Sequence, residues 1–288
     1  SLKIPIIIDL DMQGITIFYK YSEDEFGLIK DGKMIVYGSS LDKQSTDFIK
    51  MTTQDILTTL GDSIHIILYN SPQSYVGALE LIEKYNLSDV RLLFEMECAA
   101  LGSYEFSQSD DVLIQYILGT SEYWLESNCG VIECCGDCLT MTAATSIKTI
   151  RSKNYTSELL KGCLLTCLIL EKKYFGVVLN TFPFKFQVQI VNSSETQPEE
   201  LIQRYSTIPL RKSIAFSLQS TDRVQLMIEE EIWDITRYLL QYKITNTIET
   251  EICIDINHRV IPTIRIKDNI HNQETNLHIV DIIKGVVE

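Results

Sequence analysis

The spacing of apolar residues changes character along the chain. Residues 4–10, 15–19 and 27–29 read as short strands, and Asp31-Gly32 marks a hairpin turn before a return strand at 34–37. Residues 53–60 suit a short helix and 64–69 a buried strand. Ser71 followed by Pro72 fits the N-cap and first position of a helix running to about Tyr85, with Val76, Leu79, Ile82 and Tyr85 on one face. A strand at 90–94 leads into a short helix through Ala99 and Ala100. Strand–helix–strand order of this kind implies a mixed or parallel sheet. Residues 110–116, 130–133 and 139–145 continue as strands, 156–170 as a helix, and 176–179 as a short apolar linker.

Beyond Phe184 the period shortens. Segments at 186–191, 213–218, 224–229, 250–256 and 263–267 alternate as strands with one buried face, the pattern of an antiparallel β-sandwich. The expected organisation is an α/β domain at 1–172, a linker at 173–180 and a β-sandwich at 181–288. The sequence carries no internal repeat and no low-complexity tract.

Composition narrows the function classes. The 288 residues are 45% apolar with 6 prolines and 13 glycines, enough to build one large or two ordinary cores and unlike a disordered chain. A formal charge of −14 disfavours direct contact with nucleic acid or an anionic membrane, which both need phosphate neutralised by Lys and Arg. A basic partner would still bridge to RNA. The most apolar late run, 159–170, carries Lys161 and is too short to span a bilayer. No N-terminal targeting segment is read, and the expectation is a cytoplasmic protein whose cysteines are reduced.

The cysteines offer one candidate chemistry. Cys135 and Cys138 have the C-x-x-C spacing of a zinc site or a dithiol, with Cys129 upstream and Cys163 and Cys167 one helical turn apart as a second pair. The competing reading, in which small thiols fill a strand and turn, is favoured. His65, His258, His271 and His278 show no metal or triad spacing, and no metal or cofactor is expected.

Several stretches together carry a resemblance. Ile66-Ile67-Leu68-Tyr69-Asn70-Ser71-Pro72, then 87–93, then Glu95-Met96-Glu97-Cys98-Ala99-Ala100 follow in order a strand–helix–strand series that ends in E-P-T-A-A-A. Leu201-Ile202-Gln203-Arg204-Tyr205-Ser206-Thr207-Ile208-Pro209-Leu210-Arg211-Lys212-Ser213 parallels L-I-x-R-N-T-T-I-P-x-K-K-S. Asp255-Ile256-Asn257-His258-Arg259 and Ile266-Lys267-Asp268 parallel D-A-N-G-I and A-K-D. These are motifs of the DnaK-type 70-kDa heat-shock chaperones, which the chain resembles over nearly its whole length. It is most similar to the atypical, lidless kind that pairs with zuotin in the ribosome-associated complex.

The resemblance implies an actin-like (ribonuclease-H-like) nucleotide-binding-type domain lacking much of its second lobe, then an antiparallel β-sandwich without a helical lid. It also implies where a nucleotide site would stand. The family's D-L-G-T-T becomes Asp9-Leu10-Asp11-Met12-Gln13, followed by Gly14. Its D-L-G-G-G-T-x-D is matched to Glu133-Cys134-Cys135-Gly136-Asp137-Cys138-Leu139-Thr140. A phosphate turn needs open N–H groups and small or hydroxylated residues, whereas Asp11 and Asp137 place carboxylates there. The expected site is therefore degenerate (Asp9, Asp11, Gly14, Glu133, Gly136, Asp137), with no catalytic residue and no ATPase activity. By position in the sandwich, Val188, Ile190, Val191, Leu218, Val224 and Leu226 are candidates to contact a peptide or partner, the alternative being that they form the core.

The expected function is a nucleotide-independent pseudo-chaperone, held by a J-domain (zuotin-like) protein and acting at the ribosome through it. Alternatives are a free ATP-independent peptide-binding chaperone and a zinc or redox protein.

Overall fold

Three antiparallel strands followed by a parallel fourth occur twice in the first part of the chain. The structure is a computed structural model that describes residues 6–11, 14–22, 25–30, 33–37, 44–45, 65–84, 90–137, 144, 146–170, 176–191, 198–219, 221–239, 247–270 and 272–284. Two units are distinguished, Ser1–Thr181 and Phe182–Glu288.

In the first unit one sheet contains β1 (Ile6–Asp11), β2 (Gly14–Ser22), β3 (Glu25–Lys30), β4 (Lys33–Tyr37), β5 (Gln44–Ser45), β6 (His65–Tyr69) and β7 (Val90–Phe94), ordered β5-β4-β3-β2-β1-β6-β7. β1 runs antiparallel to β2 and parallel to β6, and β6 parallel to β7. The other sheet contains β8 (Asp111–Leu118), β9 (Ser121–Asn128), β10 (Val131–Gly136), β11 (Ser146–Arg151) and β12 (Val177–Leu179), ordered β11-β8-β9-β10-β12. Here β8 runs antiparallel to β9 and parallel to β11. The series β3-β2-β1-β6 and β10-β9-β8-β11 therefore share one plan, the ribonuclease-H-like order of an actin-like α/β fold. A repeat that the sequence does not display is present in the topology.

Two features of this unit depart from the sequence reading. β9, Ser-Glu-Tyr-Trp-Leu-Glu-Ser-Asn, has too many polar residues to read as a strand, yet Tyr123, Trp124, Leu125 and Ser127 are buried. Within 173–180, read as a linker, Val177–Leu179 is a strand paired parallel to β10 through Val131↔Val177, Ile132↔Val178 and Glu133↔Leu179. The expected helix at 53–60 and, apart from Ala144, the expected strand at 139–145 lie outside the described residues.

The helices follow from local signals. α1 (Pro72–Lys84) is capped by Ser71, whose Oγ accepts the Ser74 N–H at 3.1 Å. It buries Tyr75, Ala78 and Leu79, a face turned from the one expected, with Val76 and Ile82 half-buried. α2 (Glu95–Gly102) and α3 (Tyr155–Leu170) pack on each other. The α3 start is fixed by Asn154, whose Oδ1 accepts the Ser157 N–H at 3.2 Å. The crossing is backbone on backbone. A Cβ at Gly162 would overlap the Cys98 carbonyl, and one at Gly102 would overlap the Glu158 carbonyl and lie 2.5 Å from Gly162 N.

The second unit contains β13 (Thr181–Phe182), β14 (Phe186–Val191), β15 (Pro198–Ile202), β16 (Ser206–Thr207), β17 (Leu210–Gln219), β18 (Arg223–Ile228), β19 (Glu231–Asp234), α4 (Thr236–Leu239), β20 (Thr247–Ile256), β21 (Pro262–Asp268), β22 (Gln273–Leu277) and α5 (Ile279–Lys284). Its two four-stranded antiparallel sheets are ordered β15-β14-β18-β19 and β17-β20-β21-β22. Alternation along β14, β18, β20 and β21 buries Val188, Leu226, Ile254 and Ile264, and Phe182 stacks on Phe186 at 5.3 Å between centroids. Among the described residues no helix is long and apolar enough to cross a membrane.

The glycine crossing yields a first prediction. Gly162→Ala should lower unfolding stability by more than about 3 kcal/mol in urea titrations, because backbone rather than a pliant side chain occupies the space. Gly119→Ala, at φ +59° with nothing within 4 Å of a built Cβ, should cost only about 1–2 kcal/mol of conformational strain. Equal losses would contradict the close crossing.

Candidate functional site

The strand plan locates the two turns that would face a nucleotide phosphate. In the first sheet it is the β1–β2 hairpin, which closes with Asp11 paired to Gly14 and so leaves two residues in the turn. Asp9 lies mid-strand, beside Thr16 on one side and Leu68 on the other.

In the second sheet the strand in the β1 position is β8, not β10. Its hairpin to β9 closes with Leu118 paired to Ser121, leaving Gly119 and Thr120 as the turn. The reading of Val131 onward as a second phosphate strand is therefore corrected. Val131–Gly136 is the third strand of its sheet, with Glu133 and Asp137 exposed and Gly136 buried at φ +71°. The misreading has a plain cause: β10 ends in the expected Gly-Asp, while the correct hairpin is hidden by the polar β9. Two-residue hairpins spend their inward groups on closing the ladder. The relocated turn, Gly119-Thr120 followed by Ser121, is exposed and built of small and hydroxylated residues and carries no carboxylate, unlike the Gly136-Asp137 stretch expected there.

Between the two sheets lies a filled polar network that the sequence reading missed. Glu97, in the first turn of α2, is buried. Its Oε2 accepts the Tyr123 hydroxyl of β9 at 2.9 Å, and its Oε1 accepts the Asn180 Nδ2–H, just after β12. The Asn180 Oδ1 accepts in turn from Arg91 Nη2 of β7. Burial raises the Glu97 carboxyl above the usual range, against the opposing hydrogen bonds of Asn180, Tyr123 and Cys134 and the charge of Arg91. One carboxyl thus ties β7 of the first sheet to β9 and β10 of the second.

A second carboxyl fixes the far helix. Glu158 of α3 accepts the Ser152 hydroxyl at 2.6 Å, the Tyr116 hydroxyl at 2.7 Å and the Lys153 N–H at 3.1 Å. Burial would raise its pKa, but these donors outweigh it and hold the group below the ordinary glutamate range. Glu95, matched to the first residue of the E-P-T-A-A-A motif, accepts from the Tyr155 hydroxyl at the start of α3. These carboxyl groups hold protein rather than ligand.

The cysteines fall apart as a cluster. Cys134 is buried against Glu97, and Cys135 faces the other way along the strand, with its thiol on the Glu133 carbonyl at 3.6 Å. Cys129 is exposed in the β9–β10 turn at φ +48°, and Cys138 lies outside the described residues. Cys163 is turned to Cys98 at the helix crossing instead of to Cys135. The bond to Cys163 and burial raise the Cys98 thiol, and burial raises that of Cys134, so both are held as unreactive thiols. Among the described residues no group of three metal-ligating side chains converges.

In the second unit, four of the six residues placed in the peptide or partner site are core. Val188, Leu218, Val224 and Leu226 are buried, whereas Ile190 and Val191 are half-buried at the end of β14. Alternate apolar residues in a sandwich serve its interior first, and a peptide would reach those four only by repacking it. Glu229 holds the β18–β19 turn by accepting from Arg204 and from the Lys185 N–H at 2.9 Å.

No protein-family model matches the chain, and no curated protein matches it. Among solved structures it is similar to an uncharacterized protein with similarity to peptidase YEAZ from Pseudomonas aeruginosa, at 10% identity over 61% of this chain and 99% of that one, with a TM-score of 0.25. YeaZ from Pseudomonas aeruginosa is similar at 11% identity over the same shares, with a TM-score of 0.27. Likenesses this slight add nothing to the strand order.

The Glu97 network predicts a pH dependence. As pH rises past about 4.3 the carboxyl of the unfolded chain ionises while the native one keeps its proton, so native stability falls until the raised native pKa is passed. Glu97→Gln removes that loss. The difference between variant and wild-type urea midpoints should shift in the variant's favour between about pH 4 and about pH 7. A difference independent of pH would mean that Glu97 is not held protonated.

Proposed function

We propose that this chain is a nucleotide-independent binding and regulatory subunit built on a 70-kDa heat-shock-like scaffold. The observation that carries the reading is that the halves of the first unit are joined by their own atoms. The Gly102–Gly162 crossing and the Glu97 network bridge the two sheets, and both phosphate-facing hairpins are closed two-residue turns. A working ATPase of this build needs donors and a metal positioned on its phosphates. Here a carboxylate residue, Asp11, closes the β1–β2 turn, and it is this turn, not Gly119-Thr120, that speaks against nucleotide.

The partner we favour is a J-domain protein of the zuotin kind, with the ribosome reached through it and the cytoplasm as the place of action. This part rests on the resemblance, and the −14 charge agrees with an indirect route to RNA. A free peptide-binding chaperone is less well supported, since Val188, Leu218, Val224 and Leu226 are in the core. A zinc or redox role loses Cys163, which is buried and turned to Cys98.

Two measurements test the reading. Calorimetry with Mg-ATP should give no binding tighter than about 1 mM, and micromolar binding would overturn nucleotide independence. Affinity purification from native cells should return a J-domain protein in equal amount together with ribosomal proteins. Recovery of the chain as a partnerless monomer would overturn the proposed complex.

A further inference from the structure

The two sheets of the first unit differ at both ends, and at one end the difference leaves an open edge. In the first sheet, β6 is followed outward by the parallel strand β7. In the second sheet the equivalent strand is β11, and the place beyond it is vacant among the described residues, because β12 pairs with β10 at the opposite edge. Among the described residues the sheet is thus one strand short of its twin where the twin is filled.

The edge is regular and accessible. β11 pairs with β8 in unbroken register from Ser146↔Val112 to Arg151↔Ile117, with no bulge to twist it away. The Ser152 N–H donates to Ile117 O at 2.8 Å, so by alternation the N–H and C=O groups of Ile147, Thr149 and Arg151 point away from β8. Five of its six side chains are exposed, and Ile147 is 67% exposed. Lysine on an edge is a common guard against unwanted pairing. Guarding accounts for Lys148 but not for an isoleucine left in water beside a vacant strand position.

Charge selects the occupant. From Ser146 to Lys153 the chain carries Lys148, Arg151 and Lys153 and no carboxylate, in a protein with 39 acidic and 25 basic residues. Lys148 rests on the Tyr104 hydroxyl at 3.2 Å, which keeps an ammonium at the edge on one face, while Ile147 and Arg151 share the other. We propose that the open edge of β11 docks an extended acidic segment of a partner polypeptide, which adds as a further strand with an apolar residue over Ile147 and carboxylates opposite Lys148 and Arg151. Among the described residues the edge is open whether or not the chain is a chaperone relative, so this proposal survives failure of the functional one.

The test uses the whole chain and a labelled, end-blocked peptide Thr-Val-Glu-Thr-Val-Glu-Thr (the Val-Glu peptide), whose spacing sets a valine against Ile147 and glutamates against both Lys148 and Arg151, read by fluorescence anisotropy, with the same peptide carrying Lys for Glu (the Val-Lys peptide) as control. The Val-Glu peptide should bind saturably, the Val-Lys peptide at least about tenfold more weakly, and added salt should weaken the former. Thr149→Pro removes an outward N–H and spares the backbone bonds to β8, losing besides only the exposed bond from the Thr149 hydroxyl to Gln115 Oε1 at 3.0 Å, so it should lower the unfolding midpoint only slightly and weaken binding about tenfold or more. The double variant Lys148→Glu with Arg151→Glu should do the same through charge. No binding by the wild-type chain, or equal binding by the proline variant, overturns the proposal. Self-association that Thr149→Pro abolishes, with no peptide bound, would put a second copy on the edge and overturn it too.

Discussion

The first unit depends on how closely α2 and α3 approach. Their carbonyl groups come within a distance that admits hydrogen and excludes a methyl group, and this is why glycine occupies Gly102 and Gly162. Each helix follows strands of a different sheet, so the crossing sets how the two sheets are held. Helices packed this tightly gain dispersion along their backbones and leave little freedom to rock. The buried thiols Cys98 and Cys163 and the small side chains of Ala99 and Ala100 extend the same small-residue surface.

Two carboxyl groups beside the crossing are satisfied within the protein, while Oε2 of a third, Glu95, is buried without a hydrogen-bond partner among the described residues. Glu97 is met by Tyr123, Asn180 and Cys134, and Glu158 by Tyr116, Ser152 and the Lys153 amide. A buried carboxyl with its partners in place fixes geometry, and the same group with a partner removed is costly. Asn180 connects this network to β12, which is bound into the second sheet of the unit by its pairing with β10. A scaffold closed by such internal bonds presents fixed surfaces, as the proposed docking role requires.

Much of the fold was legible because it is written in short-range signals. The Ser71-Pro72 helix start, the apolar strands β6, β7 and β8, and the alternation along β14, β18, β20 and β21 all show locally. Elements that depend on distant partners did not. β9 is stabilised by burial between β8 and β10 despite its polar sequence, and β12 by pairing with a strand more than forty residues earlier. The same gap misplaced the second phosphate turn at Gly136 and Asp137 instead of Gly119 and Thr120, since its true position follows only once β9 is known to be a strand. Asp11 and Gly14 needed no such context, because β1 and β2 are neighbours in sequence. The roles of Gly102 and Gly162 are long-range contacts with no motif to announce them.

The central claim is that the first unit is closed by its own contacts and needs no nucleotide. Amide hydrogen exchange at residues 98–102 and 158–162, with and without Mg-ATP, tests it most directly. The account predicts that these amides are among the slowest in the unit and exchange at the same rate in both conditions. Fast exchange that Mg-ATP slows would contradict it, since the crossing would then be completed by a nucleotide.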